Sequence, residues 1–341
     1  MTKKYNRIFL ILAFSLLTVM ALVRLGEIDI SLATLARVDW LTYFMAFAIF
    51  YIGIISRGIR WQHILSTMGW SVGRSYAITL LTAGQFGSAI LPARAGDIGR
   101  VAMLKQDHQI PIAQGIASIT TERALDVFSI LILAMIGATF ALSDQVPSEV
   151  VQLMGVTIGL FTFGLIGLVA TPSLEQWLRE PTYFIKRLPV PTQGWAWYDK
   201  IIDFGFTLIH GVRALGKNPA MLAFVLMESL LIWLYDCLII YVIMRSIGVN
   251  LALMESIFTS MIADLAVAIP LTPSGLGQYE VAFIGLLSLF NVSTSDGSLA
   301  ALLLRFVILW TFIPVSGLIT YAFGFSRIFS SSSEDKRSAT L

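Results

Sequence analysis

The chain has 341 residues, of which 57% are hydrophobic and 13% charged, with a mean hydropathy of +0.80 and a formal net charge of +2. Soluble domains carry about 25% charged residues, so this composition excludes an ordinary soluble fold and, with no block of Lys and Arg, a nucleic-acid partner. The single cysteine, Cys237, excludes an internal disulfide and a cysteine metal cluster.

In chain order, the first predicted element is the apolar run Ile8–Val23. It has a basic start like a leader peptide but ends at Arg24 without a small-residue cleavage site, which predicts a retained first span. Trp40–Ser56 is the second predicted span. Tyr76–Leu91 is as apolar, yet it runs into "SAILPARAGDIGR", which sets two arginines, an aspartate and helix breakers where a helix should be crossing lipid. Ala124–Leu142 and Val150–Thr171 follow as spans. The segment 172–219, rich in Pro and Trp and ending in a basic amphipathic stretch, predicts a layer lying in the cytoplasmic interface. Met221–Met244 is the next span. Leu253–Phe290 is interrupted by "AIPLTPSGLGQYE", Leu299–Phe323 is the last span, and the polar tail 330–341 predicts disorder on the cytoplasmic side. The expected unit is one all-α membrane domain over 1–329, with about six spans and two helical hairpins that enter and leave on one side.

Orientation is set by the Lys and Arg in the loops. The stretch 92–123 carries four and 142–150 none. Both termini then fall in the cytoplasm, provided the two broken regions are re-entrant with opposite polarity. The two regions share a run from small apolar residues through Pro to Gly, about 180 residues apart, the pattern of an inverted repeat with a transport site near the midplane.

Ionisable groups in lipid are costly and face a cavity or one another. Arg94, Asp97 and Arg100 lie in the first broken region. Glu122, Arg123 and Asp126 follow at the expected mouth of a span, with Glu122 and Asp126 on one helix face. Glu228 and Asp236 share a span, Asp264 and Glu280 flank the second broken region beside Gly275, and Arg305 sits in the last span. Broken helices free N–H groups that favour anions, and arginine forks fit phosphate in a bidentate way. The first region therefore reads as a clamp for an anionic head group, with Arg94, Asp97, Arg100, Glu122, Arg123, Asp126, Gly275, Glu280 and Arg305 as the expected substrate-binding residues. Glu228, Asp236 and Asp264 read either as partners for the arginines or as proton carriers. His63, His108 and His210 are scattered, so no metal site and no cofactor is expected.

These motifs together resemble the membrane domain of lysylphosphatidylglycerol synthases. Pro92, Arg94, Gly96, Asp97 and Arg100 match its first motif, and Glu122, Arg123 and Asp126 its second. Pro270, Pro273, Gly275, Gly277 and Glu280 match its third, with Ser274 in place of a glycine. The resemblance implies a lipid flippase in the cytoplasmic membrane, with phospholipid, polyprenyl-linked or hopanoid lipids as partners, and a stand-alone member without the aminoacyl-transferase domain is expected. The expectation is of a transporter and not an enzyme, with homodimerisation left open. Two alternatives stand beside it. One is an ion-coupled carrier of a small anion. The other is an aspartyl protease built on Tyr235–Asp236 and Gly96–Asp97, which has the reversed order and an arginine at position 94.

Overall fold

Long apolar runs with few breakers should form helices that satisfy their own backbone, because lipid offers no hydrogen-bond partners. The computed structural model of the protein describes residues 36–90, 95–142, 149, 156, 218–267 and 275–324, and every regular element among them is helical. Helix α1, Trp40–Thr67, starts where Asp39 accepts the Leu41 N–H (3.1 Å) and the Thr42 hydroxyl (2.5 Å). Two shorter helices follow, α2 (Arg74–Ile90) and α3 (Ala95–His108), and then the 30-residue α4, Ile112–Ala141. The second half repeats this order. Helix α5, Pro219–Ser246, begins with Asn218 as cap and Pro219 in the first turn. The short α6 (Leu253–Ala266) and α7 (Gln278–Ser288) come next. Helix α8, Thr294–Arg305, then passes through a π-helical turn, Phe306–Trp310, into helix over 312–324.

Among the described residues, four helices are long and apolar enough to cross a membrane: Trp40–Thr67, Ile112–Ala141, Ala220–Ser246 and Thr294–Gly324. They coincide with four of the six expected spans. The other two, Ile8–Val23 and Val150–Thr171 (Val156 apart), lie outside the described residues, as do 172–217 and the tail. The short helices, at 1.5 Å per residue, reach only about 17–26 Å, less than the roughly 30 Å of a hydrocarbon core. They pair instead. Antiparallel α2 and α3 bring Tyr76 to His108 (ring centroids 4.6 Å) at one end and Gly87 to Gly96 at the other. Between α6 and α7, Gln278 donates to the Ala266 carbonyl at 2.5 Å, and Phe258 meets Phe290, just past the end of α7, at 6.0 Å.

Two expected boundaries are corrected. Helix α1 does not stop at Ser56 but runs on to Thr67, and α4 begins at Ile112 rather than Ala124. Both errors come from treating charges as helix ends. Arg57, Arg60, Glu122 and Arg123 instead lie inside long helices and are paired there. The orientation argument is corrected with them, because it counts Arg57, Arg60, Arg100 and Arg123 as loop charges and they lie in helices instead.

The largest apolar core gathers Phe50 and Ile54 of α1, Ile239 and Ile243 of α5, Phe283 of α7 and Leu304 of α8. A smaller one surrounds Trp61 where α1 meets α2 and α3. Large apolar side chains such as Leu41, Ile98, Val281 and Leu318 are at least 70% exposed, which suits lipid and not water.

Candidate functional site

Helical spacing places Glu122 and Asp126 one turn apart on α4, both buried, so each requires a cation. Arg60 of α1 supplies one. Fully buried, it reaches Asp126 at 2.8 Å and Glu122 at 3.6 Å and donates to the Ser229 hydroxyl of α5 at 2.9 Å. Arg100 of α3 supplies the second, donating to Glu122 at 2.7 Å and to Asp97 at 3.3 Å. Its guanidinium lies 3.9 Å from the Trp61 ring centroid, a cation–π contact in a dry setting. Arg123 closes the set against Asp97 (3.0 Å) and Asp126 (3.6 Å), and the Trp233 indole donates to Asp126 at 3.1 Å. Three arginines therefore meet three carboxylates, a balanced network binding α1, α3, α4 and α5.

A second buried pair joins α7 to α8. Arg305 donates through Nε to Glu280, and its Nη2 reaches the Gly275 carbonyl at 3.4 Å. Glu280 also accepts the Gly277 N–H at 2.7 Å, which holds the first turn of α7. Gly275 (φ +65°) and Gly277 (φ +80°) are left-handed, and that is why glycine occurs at both positions.

Between the halves lies a cavity of about 260 Å³. Its polar lining is Arg57, Gln85, Asp236, Ser260, Asp264 and Tyr279, and its apolar wall includes Phe50, Ile54, Ile239, Leu304 and Ile308. Arg57 donates to Asp236 at 2.5 Å. Asp264 makes no hydrogen bond or ion pair with another described residue, so the cavity carries one carboxylate more than it has cations.

The structure thus brings Asp97, Arg100, Glu122, Arg123 and Asp126 into one network, Gly275, Glu280 and Arg305 into another, and Asp236 and Asp264 into the cavity. Glu228 is apart from the cavity lining and faces His63, whose Nδ1 is 3.0 Å from both of its oxygens. Arg94 lies outside the described residues, as do Pro92, Pro270, Pro273 and Ser274. Arg100 and Arg305, read as head-group ligands, are held by carboxylates of the chain itself. Asp97 and Asp236 belong to separate ion pairs, so they form no proton-sharing dyad of the protease kind. Sequence reading missed Arg57, Arg60, Trp61, Gln85 and Trp233. The available signal was "IISRGIRWQH", which has no proline and only the isolated Gly58, a glycine that a helix tolerates, and so should continue the helix.

The lysylphosphatidylglycerol synthase TM region family matches residues 8–316. Glycosyltransferase AglD of Haloferax volcanii is 25% identical over 86% of the chain, and the chain spans about half (51%) of its length. A UPF0104 membrane protein of Methanocaldococcus jannaschii is 29% identical over 69% of the chain and 93% of its own length. Another, from Methanothermobacter thermautotrophicus, is 26% identical over 89% of both. No solved structure matches. The expectation that the chain is not an enzyme is withdrawn on this finding, since a relative matching most of the chain bears an enzyme's name. Its apolar helices, its buried ion pairs and the match over nine-tenths of its length lead to one conclusion: the protein is a membrane protein belonging to the lysylphosphatidylglycerol synthase transmembrane region family.

Proposed function

We propose that the protein moves an amphipathic, lipid-linked head group between the leaflets of the cytoplasmic membrane. The observation that carries this reading is the cavity, in which the polar groups Arg57, Gln85, Asp236 and Asp264 face an apolar wall inside a bundle of spanning helices. Its volume of about 260 Å³ holds a head group of modest size, while the tails stay in the bilayer. Carboxylate, amide and hydroxyl groups suit a hydroxyl-rich head group, with Arg94 as the contact for its phosphate. The two antiparallel helix pairs act as re-entrant hairpins of opposite polarity on either side of this site. Both termini are placed in the cytoplasm by the basic residues of the N-terminus and of 172–219.

A second reading, participation in glycosyl transfer to a lipid carrier, is favoured by the name of the Haloferax relative. It uses the same cavity and requires a sugar donor. Leaflet exchange in liposomes separates the two, with a fluorescent anionic phospholipid in one set and a fluorescent polyprenyl-phosphate sugar in another, and a membrane-impermeant quencher outside. Exchange of at least one lipid is expected, and Asp264→Asn should slow it about tenfold, the effect of roughly 1.4 kcal/mol in the transition state. Exchange untouched by Asp264→Asn would remove the cavity from the path, and no exchange of either lipid would refute transport. Sugar incorporated into the lipid from an added donor would establish the second reading.

A further inference from the structure

The two sets of helices are related by a nearly constant shift in sequence. Helices α1 and α5 start at Trp40 and Pro219, and α2 and α6 at Arg74 and Leu253, a shift of 179 residues in both cases. Helices α3 and α7 start at Ala95 and Gln278, and α4 and α8 at Ile112 and Thr294, shifts of 183 and 182. Contacts obey the same shifts. Asp97–Arg123 joins the first turn of α3 to α4, and its counterpart Glu280–Arg305 joins the first turn of α7 to α8. Gly115 packs on Val101, and its counterpart Gly297 packs on Ile284.

The repeats are inverted. Helices α1 and α5 run antiparallel, with the Asp39 N–H bonded to the Ser246 carbonyl at one end, Arg57 on Asp236 further along, and His63 on Glu228 at the other end. On a twofold axis a residue touches its own counterpart only where the axis passes. Arg57 and Asp236 are 179 apart in sequence and in contact, so the axis runs through that pair. Gln85 and Asp264, also 179 apart, both line the cavity around it.

The two sides of this axis differ. Besides Ile240 and Phe312, the apolar cavity wall consists of Phe50, Ile54, Ile239, Leu304 and Ile308. The same shifts carry these positions to Ser229, Trp233, Arg60, Glu122 and Asp126, which are members of the charge network. One side is an open cavity and its counterpart is shut by ion pairs. Within the shut side, Arg60 Nε and Nη2 and Arg100 Nε are buried without hydrogen-bond partners among the described residues, so donors are available there to a ligand oxygen.

We infer that the charge network is the closed, opposite-facing copy of the cavity. Arg60, Glu122, Asp126 and Trp233 line the head-group site when it faces the other leaflet. This rests on the transport reading, and it gives the site two chemically distinct faces, one mainly apolar and one mainly ionic.

Single cysteines at counterpart positions test it in a Cys237→Ser background. Phe50→Cys and Ser229→Cys form one pair, and Ile54→Cys and Trp233→Cys form a second should either member of the first fail to fold. Right-side-out and inverted membrane vesicles are treated with a membrane-impermeant thiol reagent. The Phe50 variant is expected to label from one face. The Ser229 variant should label from the other, more slowly by about 10- to 1,000-fold because it reports a minor state, and adding Asp126→Asn should speed it. Labelling of both from the same face would overturn the inference. So would a Ser229 variant that stays unreactive with Asp126→Asn while the Phe50 variant reacts. If the two faces label as stated but the liposome assay shows no lipid exchange, the two-faced site stands and the transport reading fails.

Discussion

Replacing Arg60 with methionine is expected to destabilise the protein by about 3–5 kcal/mol, the cost of leaving buried charge uncompensated. Arg60 is fully buried and meets Asp126 at 2.8 Å and Glu122 at 3.6 Å, so its loss leaves two arginines against three carboxylates. Lost packing of the long side chain adds little, because methionine keeps most of the stem's volume. The sign of a second substitution separates charge from shape. Adding Asp126→Asn restores the balance at two against two, and the amide oxygen of the new side chain can still accept the indole proton that Trp233 gives to Asp126. The double variant is expected to regain at least half of the lost stability, although each single change destabilises. Thermal unfolding in detergent micelles measures all four members of the cycle. Additive losses would show that the arginine acts through packing and that the network is not electrostatically coupled.

This network also shows where sequence reading stopped. Length, hydropathy and breakers sufficed for four spans, because a helix that must satisfy its own backbone leaves a long uninterrupted signature in composition. The two interrupted regions were legible for the same reason, since Pro and Gly can interrupt an apolar run only where protein covers the backbone. What failed was the reading of charge. A lone arginine in an apolar run looks like a helix end when its partner is distant in the sequence. Arg60 finds its carboxylates more than sixty residues away, and Arg57 finds Asp236 farther still. Glu122 and Asp126 were legible as a pair because their partnership is local, at one turn's spacing. The cation that neutralises them was not, because only tertiary packing brings it there. Gln85 and Tyr279 carry no signal in isolation, and they become site residues only because α2 and α7 each bring one of them to the same cavity.

Gly96→Ala is expected to be the most damaging single-methyl addition in the described part of the chain. A Cβ at position 96 would lie 1.7 Å from the Gly84 carbonyl oxygen and 2.7 Å from the Ser88 nitrogen. Both are backbone atoms of α2, so no rotamer can yield and the two short helices must separate. Separation is costly beyond the usual 1–3 kcal/mol of an overpacked core, because it also withdraws α3 from the network. The stem of Arg100 lies against Gly84, and a shift of α3 would pull its guanidinium from Glu122 and from the Trp61 ring. Gly99→Ala is the internal control. It lies on the same helix with nothing within 4 Å of an added methyl, and alanine is the better helix former by about 1 kcal/mol. Folded yield and thermal unfolding in detergent should therefore fall sharply for Gly96→Ala and hold or rise for Gly99→Ala. Equal tolerance of the two would mean that α2 and α3 do not meet at glycine contact, and the placement of Arg100 against Glu122 would lose its support. A fall for Gly96→Ala alone would identify the first turn of α3 as a packing device first, with Gly96 and Asp97 setting the distance at which the arginines of α3 and α4 find their carboxylates.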